Sequence, residues 1–557
     1  MRYRRKVRRD VQVELAAHFE DELKNCKTDH EKEQRGQQLI TEFGDVKLLA
    51  VLLRRAKKRC RPLWRTVFTR TFQAVGVLIL CFIIYVAWFL SGKPVITTNY
   101  VAELNRIASP GVDKGLNAAP FYDNAIALYV EEPNIMSQLV TNWPRDFSDE
   151  EMVTIENWIN NNSACFEQIK LASEKAYYWR KYESKSGDML SVLVPSLSAY
   201  RRIARLIVWR AKIRAYQGQV KDAFDDILMC YRLGMHRKVP TTLIEQLVGF
   251  SIEAIAVDTA LTVFDKVDVD RETLDGFQRS FEKLVEKNNF KMQLDGEMLS
   301  LYDEIQRSFT GGLGDGHIIP KHIGELFPKV QIITTLPSSG ASVSPQTKQK
   351  PGWLSKFISN VRHEICERGG FIYEGGRFVK KSGYMLFLHP DKQETYQAAQ
   401  ELYDYWENLT VKSPGQIRKE QIDTEKETEQ IIKGNILLEM LEPALGRMSE
   451  ITHEIKAETH ALLSILALMR YKNDKGLYPE KLQELTTTGY LKELPMDPFS
   501  DKPLVYKKTD DNFILYSFGP NFTDDDGVSA KDSKGRVRPW RDNGDTVFWP
   551  VPKSQVK

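Results

Sequence analysis

The feature that most constrains this chain is the run of residues 72–90, FQAVGVLILCFIIYVAWFL, in which no side chain is charged. At a rise of ~1.5 Å per residue, a helix of this length just crosses a hydrocarbon layer of ~30 Å. A buried core helix is the alternative. However, a helix at a protein surface normally keeps a polar face, and Gln73 is the only clearly polar side chain here. We therefore expect a single transmembrane helix over residues 70–92.

The charges that flank this run predict its orientation. Between Leu53 and Arg70 the sequence has eight Lys and Arg residues and no acidic residue, whereas Lys93 is almost alone on the other side. Because basic flanks remain on the cytoplasmic side of a membrane, we expect residues 1–70 inside and residues 93–557 outside. The chain is then a single-pass protein of a bacterial inner membrane, with the lipid bilayer as a partner.

The charge and cysteine content of the chain argue against nucleic-acid binding, a disulfide framework and a zinc site. The 557 residues carry a net charge of only +3, and the basic excess is concentrated in the first seventy. A basic segment beside a membrane predicts a topology signal and lipid contact rather than nucleic-acid binding. Cys165, Cys230 and Cys366 would lie outside without a CxxC spacing, so the sequence predicts neither a disulfide framework nor a zinc site. One disulfide among these three remains open.

Residues 1–62 are predicted to form three short cytoplasmic helices around a small apolar core. The segment resembles the helical HAAS, or permease-prefix, domain at the cytoplasmic N-terminus of many bacterial membrane proteins. The matching residues are Glu14-Leu15, His18, Glu20-Asp21-Glu22, Phe43-Gly44-Asp45 and Leu48-Leu49-Ala50. This resemblance implies a protein-interaction or signalling element without chemistry of its own.

Helical patterns dominate residues 93–310, which we expect to form a large helical ectodomain. Residues 203–236 have the spacing of a tetratricopeptide-like helix pair, in which small residues let two helices cross closely and a glycine turns the chain. The residues with this spacing are Ala211, Gly218, Ala223, Ile227 and Cys230. An ordinary antiparallel helix pair explains the same spacing, so both interpretations stay open.

Residues 311–450 are predicted to form loosely organised loops and helices, with a linker at 337–352. The glycine cluster at 311–316 follows a predicted helix rather than a strand and precedes no Lys-Ser/Thr pair. A phosphate-binding loop needs a strand before it and a helix after it, so this cluster predicts a connection instead.

Two short motifs match half of the HExxH zinc motif: His363-Glu364 and His453-Glu454. Neither has a second histidine four residues on, and that motif needs two histidines on adjacent helical turns. No GxSxG nucleophile motif occurs either. The sequence therefore predicts no catalytic residue.

The last segment, residues 451–557, predicts a small α+β module with a helix over 457–472, strands at 504–507 and 512–517, and a final strand at 546–551. It resembles the globular head of type II secretion pseudopilins, particularly the major pseudopilin. The motifs that match are Tyr471, Gly476-Leu477-Tyr478-Pro479, Tyr490-Leu491, Leu494-Pro495-Met496-Asp497-Pro498-Phe499, Pro503-Leu504-Val505-Tyr506 and Phe513-Ile514-Leu515-Tyr516-Ser517-Phe518-Gly519-Pro520-Asn521. They imply the fold more strongly than any activity.

In that family, the loop after the last hairpin strand binds calcium. The resemblance places Ser517, Asp524, Asp525 and Asp526 at comparable positions, and oxygen ligands on a short loop suit a hard cation. Asn521 stands where the family usually has an acidic residue. A solvated acidic turn is therefore the alternative to a calcium site, and no other cofactor is expected.

The whole chain predicts a mostly α, membrane-anchored protein, which resembles uncharacterised envelope proteins of planctomycete-like bacteria. A pseudopilin starts with a prepilin-peptidase site followed at once by an apolar helix, and this chain lacks that arrangement. We therefore expect a non-catalytic scaffold or binding protein with protein partners in the envelope, associated with a type II secretion-like machinery. A transmembrane regulator with an outer sensing body and an inner reporter domain is the alternative. An envelope hydrolase with an unrecognised site is a third hypothesis.

Overall fold

The structure is a computed structural model that describes residues 5–59, 63–111, 114–139, 143–192, 197–238, 242–311, 316–322, 389–532 and 535–552. The predicted linker at 337–352, the half-motif at His363 and the thiol of Cys366 lie outside these residues. The chain is mostly helical, as predicted, and it divides into two compact units, Met1–Trp88 and Phe89–Lys557.

The first unit contains helices α1 (Arg5–Leu23), α2 (Asp29–Glu42) and α3 (Val46–Arg59), followed by α4 (Leu63–Leu90). Thr28 caps α2 in a capping box with Glu31, which satisfies backbone N–H groups that the first turn leaves free. After α2, Gly44 takes a positive φ of 66°, a conformation that glycine adopts without steric cost. The rings of Phe19 and Phe43 stack with centroids 5.6 Å apart, so α1 and α2 pack against each other.

Among the described residues, two helices are long and apolar enough to cross a membrane, and they differ in burial. In Val67–Leu90 only 6% of the most apolar 18-residue window is buried, whereas in Leu243–Lys266 the corresponding window is 72% buried. Burial of that extent is typical of a core helix. The exposed helix lies where the sequence predicts the span, and that it crosses a membrane stays a prediction.

The second unit is a helical body that carries a small sheet. Its helices are α5 (Tyr100–Ala108), α6 (Ala119–Leu128), α7 (Met136–Leu139), α8 (Asp149–Asn161), α9 (Ser163–Ser173), α10 (Leu197–Tyr216), α11 (Val220–His236), α12 (Leu243–Lys266), α13 (Arg271–Lys287), α14 (Asp295–Ser308), α15 (Lys392–Leu409), α16 (Pro414–Lys419), α17 (Thr424–Ile432), α18 (Ile436–Lys475) and α19 (Gln483–Thr487). One apolar core joins residues of α6 to α13 with residues of α18 and the sheet.

Helices α10 and α11 form the helix pair that the sequence predicts near 203–236. Gly218, between them, has a φ of +83° and turns the chain, while Ala211 and Ala223 are fully buried where the two helices meet. The structure therefore shows two helices packed against each other. Membership of a tetratricopeptide-like class stays a prediction.

Helix α18 is the longest element and enters the core beside α12 and α13. It starts at Ile436, where the Asn435 side chain accepts the backbone N–H of Leu438. It ends at Gly476 in the left-handed conformation, the usual glycine cap. The helix therefore runs without interruption through residue 451, where the sequence places the start of the C-terminal module.

The sheet lies after α18. Strands β1 (Met496–Asp497) and β2 (Lys502–Pro503) form a short antiparallel ribbon, and β3 (Val505–Lys508), β4 (Phe513–Ser517) and β5 (Thr546–Trp549) form an antiparallel sheet with β4 in the centre. Tyr506 pairs with Leu515, and Tyr516 with Val547. The central strand ends at Ser517, and this end positions the acidic loop.

Candidate functional site in the C-terminal module

The acidic loop, defined here as residues 518–527, connects β4 to the segment that leads to β5. It turns at Gly519 and Gly527, which have φ values of +67° and +83°. A side chain at Gly527 would meet Ile514 and Tyr516 at 3.4 Å, so glycine also allows the loop to approach β4 closely. The loop is therefore held against the central strand.

Ser517, the first predicted calcium ligand, is directed at a buried carboxylate. Its Oγ donates to Asp497 Oδ1 at 2.8 Å and accepts the backbone N–H of Gly519 at 3.1 Å. Asp497 is fully buried on β1, and its Oδ2 has no hydrogen-bond partner in the described part of the chain. Burial raises the pKa of the Asp497 carboxyl, and the hydrogen bonds from Ser517 and from the Phe499 backbone oppose this increase. The serine and Asp497 thus form a buried polar pair behind the loop.

The three predicted aspartates of the loop take different partners. Asp524 Oδ1 accepts from the Tyr516 hydroxyl at 2.7 Å, and Asp525 Oδ2 accepts from Asn521 Nδ2 at 2.7 Å. The Asp526 side chain is 91% exposed and forms an ion pair with Lys507. Asn521, the position that departs from the pseudopilin pattern, therefore orients Asp525 directly.

The sequence analysis did not predict Asp545, which holds the backbone of the acidic loop by hydrogen bonds. This fully buried carboxylate accepts the backbone N–H of Gly527 at 2.7 Å and that of Asp525 at 3.3 Å. Burial raises its pKa, and the nearby charges of Asp524 and Asp525 act in the same direction. In the sequence, Asp545 is marked only by its position immediately before a predicted strand, and many aspartates without a structural role occupy such positions.

The described residues contain no group of three or more His, Cys, Asp or Glu side chains that could hold a metal ion. The four predicted ligands do not converge, since Ser517 faces Asp497 and Asp526 faces Lys507. The loop is held by hydrogen bonds, in which the carboxylates of Asp524 and Asp525 each use one of their two oxygens for a side-chain donor. Calcium binding stays a prediction.

A polar contact joins the segment before β5 to α18. Trp540 has a left-handed backbone, with a φ of 60°, and its backbone N–H donates to Thr546 Oγ1 at 3.2 Å. Its ring stacks on Phe499 with centroids 5.3 Å apart, and its indole N–H donates to Glu458 Oε1 at 2.8 Å. The indole therefore fixes the segment before β5 to the long helix.

The Glu458 carboxyl is half-buried beside two other acids. Its pKa is raised to about 8, chiefly by burial; the charges of Glu454 and Asp258 act in the same direction, and the hydrogen bond from Trp540 opposes the increase. The folded protein consequently holds a proton on Glu458 at neutral pH. Together with the Trp540 indole, this carboxyl forms a contact whose strength depends on pH.

We predict that Glu458→Gln makes the protein more stable at alkaline pH. In the wild type, stability falls as the pH rises from the ordinary glutamate value of 4.5 towards about 8, because the unfolded chain releases the proton first. The amide cannot ionise, so we expect a gain of about 2 kcal/mol at pH 9 after allowance for solvent screening. Thermal unfolding of both proteins between pH 5 and pH 9 measures this difference. Glu450→Gln, at an exposed site on the same helix, should keep the wild-type pH dependence.

The histidine half-motif at His453 does not form a metal site in this structure. His453 is buried, and burial lowers its pKa to about 4. Glu454 accepts Arg447 Nη1 at 2.9 Å, while His460 donates from Nδ1 to the Met496 carbonyl at 2.7 Å. These side chains therefore connect α18 internally and to β1.

The helical body contains buried ion pairs that sequence reasoning missed. Arg237 Nη2 donates to Glu245 at 2.6 Å, and the guanidinium carbon lies 4.6 and 4.4 Å from the ring centroids of Tyr178 and Tyr200. The neighbouring His236 donates from Nε2 to the Lys175 carbonyl at 3.2 Å, so its Nδ1 accepts from the hydroxyl of Tyr122 at 3.0 Å. Cation–aromatic contacts and an ion pair of this kind stabilise a fixed packing of the helices.

No family model, no curated protein and no solved structure matches this chain. The resemblances to pseudopilin heads and to HAAS domains therefore stay predictions from sequence.

Proposed function

We propose that this protein is a membrane-anchored, non-enzymatic scaffold that presents a rigid helical body and its C-terminal module to protein partners in the bacterial envelope. The single observation that carries the proposal is the exposure of the apolar helix Val67–Leu90, of whose most apolar window only 6% is buried. An apolar surface of this extent is stable only in an apolar environment, and the hydrocarbon core of a bilayer provides it.

The C-terminal module offers the surface for such partners. Leu477, Met496 and Val528 are 53%, 45% and 59% exposed, although each belongs to a module whose other apolar side chains lie largely in the core. Single exposed apolar residues are common on folded proteins, so these three positions are sites at which contact with a partner can be probed. The binding role itself is suggested by the resemblance to pseudopilin heads, with a type II secretion-like machinery as the partner.

A photo-crosslinking experiment in cells tests the binding role. Benzoylphenylalanine at positions 477, 496 or 528 should give discrete high-mass adducts after irradiation. The same residue at Val153, an exposed position on α8, serves as the matched control and should give none. Equal crosslinking from all four positions, or none from any of them, would contradict the proposal.

We also propose that the acidic loop binds calcium. If so, calcium at about 100 times its Kd raises the stability of the protein by about 2.7 kcal/mol, because it binds only the folded state. Thermal unfolding with and without calcium measures this. Asp525→Asn removes a charge from the loop and should abolish the calcium effect. Asp510→Asn, in the exposed turn between β3 and β4, should retain it. A calcium effect that survives in Asp525→Asn would exclude the acidic loop.

The transmembrane regulator remains the second candidate, because the unit Met1–Trp88 places helices α1 to α3 before the apolar helix that it also contains. A small helical segment directly before a span is the arrangement that a reporter domain requires. Deletion of residues 1–62 distinguishes the two functions: a regulator loses its effect on gene expression, whereas a scaffold keeps its partners at the C-terminal module.

A further inference from the structure

Helix α3 leaves part of its apolar face without a partner in the first unit. Leu48, Val51 and Leu52 are 62%, 48% and 53% exposed, whereas Leu49 and Leu53 on the neighbouring strip are half-buried. Packing between α1 and α2 uses other residues, among them Phe19 and the ion pair of Arg35 with Glu22. An exposed strip on one helix of a small unit indicates a contact that the unit does not provide itself.

The sequence of α3 combines this strip with a strong positive charge. The helix VKLLAVLLRRAKKR contains six basic residues and no acidic one. At ~100° per residue, Lys47 lies about 140° around the helix from Leu52, whereas the exposed Arg55 lies only about 20° from Leu48. The exposed side of α3 therefore carries apolar and basic side chains together. Such a surface suits the interface of an anionic membrane, with the apolar side chains at the level of the lipid headgroups and the basic ones at their phosphates.

The position of α3 in the chain places it close to the proposed membrane span. Only three residues separate Arg59, the last residue of α3, from Leu63, the first residue of α4. Three residues span at most about 11 Å when fully extended. The exposed side chains of Trp64 and Phe68 at the beginning of α4 add apolar surface at the same end of the unit. A bilayer that contains Val67–Leu90 therefore lies within reach of the apolar strip on α3.

We infer that α3 docks on the cytoplasmic leaflet through Leu48, Val51 and Leu52, and that it recognises anionic lipid headgroups through its basic residues. This inference depends on the proposed anchoring by Val67–Leu90. Each Lys or Arg near an anionic surface strengthens such binding, so charge and apolar burial act together. Helix α3 is then held on the membrane surface instead of moving freely below it.

Spin-label accessibility in the full-length protein tests this inference. The protein, with Cys26, Cys60, Cys81 and Cys366 replaced by serine, is reconstituted into nanodiscs of phosphatidylcholine alone or with an equal amount of phosphatidylglycerol. A nitroxide is attached at Leu52→Cys, at Lys47→Cys as the control about 140° around the helix from Leu52, or at Ile79→Cys in the span. Collision rates with oxygen and with a water-soluble nickel chelate report the depth of each label.

We expect the label at position 79 to be deep in both kinds of disc. The label at position 52 should be at least fivefold less accessible to the nickel chelate than the label at position 47 in the anionic discs, with a smaller difference in the neutral ones. If position 52 is as accessible as position 47 while position 79 is deep, lipid docking of α3 is wrong but the anchoring holds. If position 79 is accessible to the chelate, the anchoring itself is wrong. Protection of position 52 that is equal in both discs and grows with protein density would assign the strip to a second copy of the chain and overturn the lipid inference.

Discussion

Replacing Glu253 by alanine should lower the free energy of unfolding by about 3–5 kcal/mol, the largest effect that we expect from one substitution. Glu253 on α12 is fully buried and forms an ion pair with Lys238 at 2.7 Å. The Lys238 ammonium also donates to Asn288 and to the carbonyl of Asn289. Without the glutamate, a buried ammonium group loses its counter-charge, and an unpaired charge is costly away from bulk solvent.

Chemical denaturation of the full chain in a mild detergent measures this effect, and a double-mutant cycle provides the control. Lys238→Met alone leaves Glu253 buried and unpaired, so it should cost a similar amount. The double variant with Lys238→Met and Glu253→Leu should lose clearly less than the sum of the single variants, because the ion pair is then removed as a whole. Additive losses would show that the two charges are not coupled.

The second large effect concerns the place where α11 and α12 cross. A methyl group at Gly234 would lie 2.8 Å from the carbonyl oxygen of Gly249 and 2.7 Å from the Glu253 side chain. The backbone cannot give way as a side chain can, so the helices must separate. We expect Gly234→Ala to cost about 3 kcal/mol, although alanine favours a helix over glycine.

Gly276→Ala is the matched control for this prediction. Gly276 lies inside α13 with nothing within 4 Å of the position that its side chain would occupy. Alanine there should stabilise the protein by about 0.5–1 kcal/mol, since it only reduces the freedom of the unfolded chain. Opposite signs for the two glycines in thermal unfolding would establish the close crossing. A stabilising effect at both positions would contradict it.

Local patterns predicted the secondary structure well where the determining contacts are close in sequence. Serine before an acidic first turn is a common helix start, and Ser148 forms a capping box with Glu151 at the beginning of α8. The strands β3 and β4 lie within one residue of the predicted 504–507 and 512–517, and a short turn fixes their register. Apolar periodicity also located the body of α18, but its beginning at Ile436 was missed, because Pro443 and Gly446 are residues that normally interrupt a helix.

Contacts between distant residues were beyond sequence reasoning. Lys238 and Glu253 lie on different helices, and their pairing depends on how α11 and α12 cross. Asp545 reaches the loop backbone 18 residues earlier, and Trp540 meets Glu458 across 82 residues. A sequence without its fold does not indicate which acid is buried and which is solvated, so the predicted ligand Asp526 is exposed while the buried Asp545 was overlooked.

The central proposal is that the chain crosses a membrane once, with residues 1–70 inside and residues 93–557 outside, and thiol labelling tests it most directly. A membrane-impermeant maleimide is added to spheroplasts that express the full chain with Asp510→Cys and with Cys60, Cys81 and Cys366 replaced by serine. Cys165 and Cys230 are buried, which leaves position 510 as the reporter for the body and Cys26 as the reporter for the first unit. We predict that position 510 reacts in intact spheroplasts and that Cys26 reacts only after permeabilisation. Reaction of both thiols at the same stage, or of Cys26 first, would contradict the account.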